Sequence, residues 1–202
     1  MVAAMLVGTI GCDTESPVGE SADEVFSGPA APLQAGRWQA LDDDEVCTDN
    51  VGEVVDGNVI VPDGMECTLE GSRIDGNVLV GIDATLVALG VTVEGNIQAE
   101  GARAVIVGDD THVDGNIQIK YGGSVEVLGT TIRGDLQFEE NADSLTVSES
   151  VVGGNLQVFK NSGDIALESN QISGDLQCKE NDPAPVGGGN TAASKEDQCF
   201  AL

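Results

Sequence analysis

The sequence predicts an all-β protein that winds through about seven similar coils, a β-solenoid, and three observations support this fold class. A phrase that reads apolar, any residue, Gly, Asn or Asp, apolar occurs seven times. Its glycines follow one another at steps of 19 or 20 residues, a period typical of solenoids. Apolar residues recur at the same even distances from each glycine, as in strands with one buried face. The seven glycines are Gly57, Gly76, Gly95, Gly115, Gly134, Gly154 and Gly174.

The apolar positions divide each coil into about three short strands. They lie two residues before the glycine and two, four, ten and twelve residues after it. For Gly115, the three nearest are Val113, Ile117 and Ile119. Because these positions coincide from coil to coil, like residues stack on like, and successive coils pair as parallel strands at about 4.8 Å spacing. An α-helix would not place such offsets on one face.

From Cys47 to Leu202 the chain resembles right-handed parallel β-helix proteins. The resemblance rests on the repeat period and on the stacking of like residues, and no catalytic motif contributes to it. Right-handed winding also agrees with the chirality of parallel β connections. Some parallel β-helix proteins cleave acidic polysaccharides, so the resemblance implies that activity as one functional expectation.

The amino-terminal residues lack the repeat. Residues 1–11 form a short apolar run in which small residues precede Cys12. This run resembles a bacterial lipoprotein signal peptide, which implies that Cys12 is the lipidated first residue of the mature chain. Residues 12–44 are acidic and rich in Pro, Gly, Ser and Ala, which predicts a disordered tether. The apolar run is too short to span a bilayer, so we expect an exported lipoprotein anchored to the membrane through lipid alone, or an extracellular protein.

The other four cysteines predict two disulfide bonds. Cys67 has the inward offset of ten after its glycine, and Cys47 lies one coil earlier, in what the spacing predicts is the same column. Cys178 has the inward offset of four, and Cys199 follows about one coil later. Stacked positions in adjacent coils lie within the Cα separation that a disulfide needs. We therefore predict the bonds Cys47–Cys67 and Cys178–Cys199, which staple both ends of the solenoid and indicate an oxidising location.

The repeat ends after Cys178, where Pro183, Pro185 and three consecutive glycines follow. The sequence therefore predicts a parallel β-helix over residues 45–178 and a C-terminal capping loop over residues 179–202. Solenoids need such a cap because it shields the last apolar layer and prevents end-to-end strand pairing.

The composition is strongly acidic and limits the partners. The chain has 35 Asp and Glu against 8 Lys and Arg, with a formal net charge of −27. This charge repels phosphate groups and anionic lipid surfaces, so nucleic acid is excluded as a partner. Aromatic residues make up only 3% of the chain, which leaves few rings for a stacked sugar site.

Two outward columns flank the repeated glycine. The residue after the glycine is always Asn or Asp, and a Gln column follows it in the last five coils. Stacked amides stabilise parallel coils, although a sharp bend would turn the Asn side chains towards the turn backbone instead. The residue before the glycine is acidic in the first four coils. There, Asp75, Glu94 and Asp114 are predicted ligands of a weak Ca²⁺ or other divalent site, with a solvated acidic edge as the alternative.

The leading functional prediction is an exported, lipid-anchored protein of the cell envelope. Its role would be structural, adhesive or binding, with an envelope glycan or protein as the partner, and no catalytic residue is assigned. The alternative is a divalent-cation-dependent polysaccharide-active enzyme, a lyase or hydrolase of the parallel β-helix type, centred on the acidic column and Arg133. The coils lack long insertions that could wall a cleft, and the lone His112 has no evident partner. A third possibility is an ice- or mineral-binding face, but the regular Thr ladders that would support ice binding are absent from the sequence.

Overall fold

The computed structural model describes residues 43–51 and 53–202. The predicted signal segment, the lipidation site at Cys12 and most of the predicted tether lie outside the described residues. The described residues form 23 β-strands and no helix, which confirms the all-β parallel solenoid of about seven coils. In this part of the chain, no helix is long and apolar enough to cross a membrane. The right-handed winding stays a prediction.

Each full coil contributes one strand to each of three parallel sheets. The first sheet has nine strands: β1 (Glu45–Val46), β3 (Val59–Val61), β6 (Val78–Val80), β9 (Ile97–Glu100), β12 (Ile117–Lys120), β15 (Leu136–Glu139), β18 (Leu156–Phe159), β21 (Leu176–Lys179) and β23 (Lys195–Asp197). The second sheet has seven: β4 (Glu66–Glu70), β7 (Thr85–Leu89), β10 (Ala104–Gly108), β13 (Ser124–Leu128), β16 (Leu145–Ser148), β19 (Ile165–Glu168) and β22 (Val186–Gly188). The third sheet also has seven: β2 (Val54–Val55), β5 (Arg73–Ile74), β8 (Thr92–Val93), β11 (His112–Val113), β14 (Thr131–Ile132), β17 (Val151–Val152) and β20 (Gln171–Ile172).

The register of the sheets reproduces the sequence repeat. Ile117 pairs with Ile97 on one side and with Leu136 on the other, and all three side chains are fully buried. Alternate residues of each strand point inward, so the predicted apolar columns form one continuous core along the described coils. β-Branched and Leu side chains in such a core each contribute about 1.5–3 kcal/mol through burial, which makes the core the main source of stability.

Two columns of polar side chains lie inside the core, and the sequence reasoning missed both. The first buried ladder lies at the corner between the first and second sheets and consists of the buried Asn141, Asn161 and Asn181, with the half-buried Gln198 at its end. The second lies at the corner between the second and third sheets and consists of Thr111, Thr130, Ser150, Asn170 and Asn190. The recurrence of Asn seven residues after the glycine in the last three coils was the available signal.

The first buried ladder satisfies backbone groups that the sheets leave unpaired. The Asn141 backbone N–H and side-chain NH₂ both donate to Asn161 Oδ1, at 2.9 and 3.0 Å. The Asn161 side chain also donates to the Phe138 carbonyl oxygen. No buried side-chain nitrogen or oxygen atom of the described residues lacks a hydrogen-bond partner. The corners can therefore be buried without the penalty of an unpaired polar group.

The residue before each asparagine of this ladder adopts a left-handed backbone conformation. Glu140, Lys160 and Glu180 have φ values of 56°, 57° and 58°. Residues with a side chain rarely adopt this region, since the Cβ atom crowds the following carbonyl group. The left-handed residue turns the chain at the corner, and the next side chain then points into the core.

The disulfide Cys47–Cys67 is present as predicted, with its Cα atoms 5.6 Å apart, but its geometry differs from the expected stacking in one column. Cys47 follows β1 and continues the first sheet, and its N–H donates to the Ile60 carbonyl oxygen at 2.8 Å. Cys67 lies in β4 of the second sheet. The bond therefore joins two sheets across the interior. The first coil is shortened at this point, because Asn50 already pairs with Thr68 of the second sheet.

The C-terminal segment contains two further strands rather than only the expected loop. β22 pairs with β19 and β23 pairs with β21, so residues 179–202 add an irregular coil to the solenoid. Cys199 is buried in the turn after β23 and bonds to Cys178 as predicted, with the Cα atoms 5.2 Å apart. The repeat is not visible in the sequence of this segment, because prolines and glycines replace the usual turns. The strand pairing nevertheless continues.

We expect the disulfides to contribute measurably to stability. Replacing Cys47 and Cys67 together by Ala should lower the free energy of unfolding by about 3 kcal/mol, because a covalent link restricts the unfolded chain. Urea denaturation measures the loss. A reducing agent should destabilise this double variant less than the wild type, since only one disulfide remains in it. An unchanged free energy of unfolding would contradict the prediction.

The first buried ladder should be sensitive to truncation at its centre. Asn161→Ala leaves the Asn141 donors without an acceptor inside the core, so the free energy of unfolding should fall by about 2–3 kcal/mol. Asn116→Ala is the matched control, because the exposed Asn116 side chain accepts from the Asp135 N–H and donates to Asn96 Oδ1, and water can replace both bonds. The control should lose about 1 kcal/mol or less. Equal losses in the two variants would argue against a special role for burial.

Candidate functional site

The sequence-predicted site lies along the corner between the third and first sheets, and close packing of the backbone shapes this corner. A Cβ atom on Gly115 would lie 2.5 Å from the Gly95 carbonyl oxygen, and one on Gly76 would lie equally close to the Gly57 carbonyl oxygen. None of the seven repeated glycines has a positive φ. Glycine therefore recurs here because the coils approach too closely for a side chain, and not because the turn needs a left-handed residue.

The residues after these glycines form the corner ladder. Asn116 donates to Asn96 Oδ1 from its backbone N–H at 2.8 Å and from its side chain at 3.3 Å. Asn96 donates to Asn77 Oδ1 in the same way, at 2.9 and 3.0 Å. Each side chain thus stacks along the axis and also caps the turn backbone of the next coil, so the two alternatives left open by the sequence both hold. The ladder consists of Asp44, Asn58, Asn77, Asn96, Asn116, Asp135, Asn155, Asp175 and Ser194.

The residues before the same glycines form the charged column, which we define as Asp56, Asp75, Glu94, Asp114 and Arg133. Its Asp114 Oδ1 atom lies 2.8 Å from His112 Nε2 and 3.0 Å from Arg133 Nη1. His112, for which the sequence suggested no partner, therefore has one. Both partners of Asp114, His112 and Arg133, are exposed at least in part, so each contact contributes at most about 1 kcal/mol.

A second cationic side chain, Arg73, contacts the carboxylates of Asp75 and Glu94 in the charged column. The sequence reasoning overlooked this residue. Its Nε atom lies 3.0 Å from Asp75 Oδ1, and its guanidinium group also contacts the Glu94 carboxylate. Arg73 lies in β5 two residues before Asp75, so both side chains point outward from the same strand edge. Arg73 and Arg133 thus relieve the repulsion between stacked carboxylates that first suggested a bound cation.

The predicted Ca²⁺ site at Asp75, Glu94 and Asp114 stays a prediction. Within residues 43–51 and 53–202, no group of three or more His, Cys, Asp or Glu residues is placed to hold a metal ion. The three carboxylates occupy successive coils, and each has an arginine as its neighbour. Any cation at this column would therefore compete with Arg73 or Arg133 for the carboxylate oxygens.

The outer face of the first sheet carries the predicted glutamine column. Gln118 donates to Gln137 at 2.7 Å, and Gln157 donates to Gln177 at 2.8 Å. Gln177 donates in turn to Glu196 of the last coil at 2.9 Å. These bonds run along the solenoid axis, as expected for stacked amides, and they tie together neighbouring coils on this face.

Beside the glutamines, Lys120 Nζ lies 2.8 Å from Glu139 Oε2. The hydrogen bond from Lys120 lowers the pKa of the Glu139 carboxyl group below its ordinary value. Partial burial opposes this shift, while the positive charges of Lys120 and Lys160 add to it. Glu139 is therefore a carboxylate held in its ionised form by its neighbours.

Three open depressions lie elsewhere on the described surface. The one on the first-sheet face has a volume of about 270 Å³ and includes Gln118 and Lys120 in its lining. One of about 340 Å³ lies near Asn50 in the first coil, and one of about 360 Å³ lies near Ile165 on the second-sheet face. No member of the charged column lines any of these three depressions.

Comparisons of the chain with protein-family models, with curated proteins and with solved structures find no match. The resemblance to parallel β-helix proteins therefore rests on architecture alone. The strand pairing establishes the solenoid fold.

The ion pair between Lys120 and Glu139 gives a testable pH dependence. Lys120→Met removes the hydrogen bond and the nearest charge, so the pKa of Glu139 should rise towards its ordinary value of 4.5. A ¹³C NMR titration of the Glu139 carboxyl group measures the change. Lys179→Met is the control, because Lys179 pairs with Glu180 and should leave the pKa of Glu139 unchanged.

The sign of the stability effect follows from the lowered pKa. A carboxyl group whose pKa is lowered by folding stabilises the folded state above its unfolded-state pKa, and the contribution is lost as the pH falls through the folded-state value. The Lys120→Met variant should therefore be less stable than the wild type at neutral pH, and the difference should shrink below about pH 4.5. A difference that persists unchanged at pH 2 would contradict this interpretation.

Proposed function

We propose that the protein is an exported, lipid-anchored β-solenoid with a structural, adhesive or binding role in the cell envelope. The observation that carries the proposal is the pair of disulfides, Cys47–Cys67 in the first coils and Cys178–Cys199 in the last. Disulfides of this kind form and persist in oxidising compartments and are rare where glutathione and thioredoxin keep thiols reduced. They support a location outside the cytoplasm.

The fifth cysteine supports the anchoring part of the proposal. Four of the five cysteines are used in disulfides, and Cys12 lies outside the described residues. It follows the small residues of a lipoprotein-like signal and is the first residue of the predicted tether of residues 12–44. A lipid on Cys12 would attach the chain to a membrane, and the tether would hold the solenoid away from the membrane surface.

The surface of the solenoid supports a structural or binding role. The corner ladder and the glutamine column repeat from coil to coil, so these parts of the surface present similar groups at about 4.8 Å intervals to a partner that lies along them. In the charged column, the carboxylates of Asp75, Glu94 and Asp114 are each paired with Arg73, Arg133 or His112. The net charge of −27 repels anionic polymers, which favours a neutral or cationic partner.

Metabolic labelling tests the anchor. When the full-length chain is expressed in a bacterial host with radiolabelled palmitate, the wild type should carry the label and sediment with membranes. Cys12→Ala should abolish the label, because the only thiol in the signal-like segment is removed. The double variant Cys47→Ala/Cys67→Ala is the control and should keep the label. An unlabelled wild type, or a labelled Cys12→Ala variant, would refute the proposed anchor.

A further inference from the structure

The outer face of the second sheet carries an apolar patch on three adjacent strands. We define the patch as Val87 and Leu89 of β7, Ala104 and Ile106 of β10, and Leu128 of β13. All five side chains point away from the core and are half-buried. The register places Ile106 beside Val87, while Leu89 and Leu128 approach Gly108 from its two sides. The patch is therefore contiguous across three coils.

The fold itself does not require apolar residues at these positions. Thr68 occupies the position of Val87 in the preceding coil. Ser148 occupies the position of Leu128 in the following coil. Polar side chains thus fit the same outward columns, and the inward residues of these strands already fill the core. A contiguous apolar patch on an otherwise highly acidic surface is typical of an interaction site.

Four acidic residues flank the patch on three sides and form what we call the acidic rim. Glu70 pairs in register with Leu89, Glu126 pairs with Ile106, and Asp109 and Asp110 follow directly after β10. All four side chains are exposed, and none of them forms an ion pair with another described residue. The rim therefore presents uncompensated negative charge around an apolar centre.

The basic residue beside the patch does not neutralise the rim. Arg103 lies directly before β10, where its side chain donates to the Asp83 carbonyl oxygen at 2.9 and 3.2 Å. Its guanidinium group also lies 3.3 Å from the Asp83 carboxylate and 3.9 Å from that of Glu66. Because these acidic partners engage Arg103, the charge of the rim remains available to an incoming cation.

We propose that the apolar patch and its acidic rim bind a cationic amphipathic segment of a partner protein. Apolar side chains of the segment would cover Val87, Ile106 and Leu128, and its Lys or Arg residues would meet Glu126 and Asp110. Charge complementarity selects this occupant, because a second copy of the chain would bring one acidic rim against another, and anionic lipids are repelled. The inference deepens the binding role proposed above, and it does not depend on the lipid anchor.

Fluorescence anisotropy with the full-length chain tests the proposal. The probe is a fluorescein-labelled peptide of 18 residues, composed of Leu and Lys, whose leucines lie on one face of a helix. We expect saturable binding that weakens as the salt concentration rises. A scrambled peptide of the same composition should bind at least about tenfold more weakly, because it cannot place its leucines together on the patch.

Matched variants separate the patch from the rest of the surface. Val87→Thr/Ile106→Thr should weaken binding of the probe by about tenfold or more, since it removes the apolar centre. Val151→Thr makes the same kind of change on the outer face of the third sheet, where Val151 is 40% exposed, and should bind as the wild type does. Glu126→Gln should weaken binding mainly at low salt, while Glu196→Gln, at an exposed acid of β23 in the first sheet, should not.

Several results would overturn the proposal. Equal binding of the scrambled peptide would indicate adsorption by charge alone. Loss of binding in Val151→Thr to the same extent as in the patch variant would show that the patch is not the site. A dimer in sedimentation velocity that Val87→Thr/Ile106→Thr dissociates, without peptide binding, would assign the patch to a second copy. Binding to phosphatidylglycerol vesicles but not to the peptide would assign it to lipid. Unchanged melting temperatures show that the variants are folded, and the palmitate labelling tests the anchor separately.

Discussion

The structure depends on one constraint, which is that each residue stacks on the equivalent residue of the next coil at about 4.8 Å. Apolar side chains are stabilised by stacking on other apolar side chains, so the interior consists of repeated aliphatic columns. At the corners, some backbone groups pair with the backbone of the next coil, and others are bonded by side chains instead. The corner ladder and the two buried ladders satisfy them, because an amide can donate to one neighbour and accept from the other. The repeated glycines follow from the same constraint, since the stacked corners leave no room for a Cβ atom.

The same stacking explains the distribution of charge. Carboxylates in one outward column repel one another. In the charged column, Arg73 beside Asp75 and Arg133 beside Asp114 reduce this repulsion. The acidic rim of the second sheet has no such compensation, although it lies around an apolar patch. The carboxylates of the charged column are therefore used within the chain. The unpaired acids of the second-sheet face can instead meet the cationic groups of a partner.

Particular residues show how much of the structure could be predicted from the sequence. The even offsets of residues such as Ile117 and Ile119 were sufficient to predict three strands per coil and the register between coils. The disulfide partners were also correct, although Cys47 and Cys67 lie in different sheets and not in one column. The spacing of cysteines constrains which coils are joined, but it does not reveal that the first coil takes a shorter path. The last coil escaped detection because its turns differ while its strand pairing continues.

By itself, the sequence determined the all-β class, the number of coils, the inward columns and the two cysteine pairs, because a repeat period states which residues must stack. The tertiary structure alone decided which outward groups meet. Arg73 reaches both Asp75 and Glu94, His112 meets Asp114, and five residues from three strands form one apolar patch. These contacts depend on side-chain direction and on the left-handed corner residues, such as Lys160, that turn the chain. A period in the sequence specifies register, whereas the path of the chain around each corner specifies which columns become neighbours.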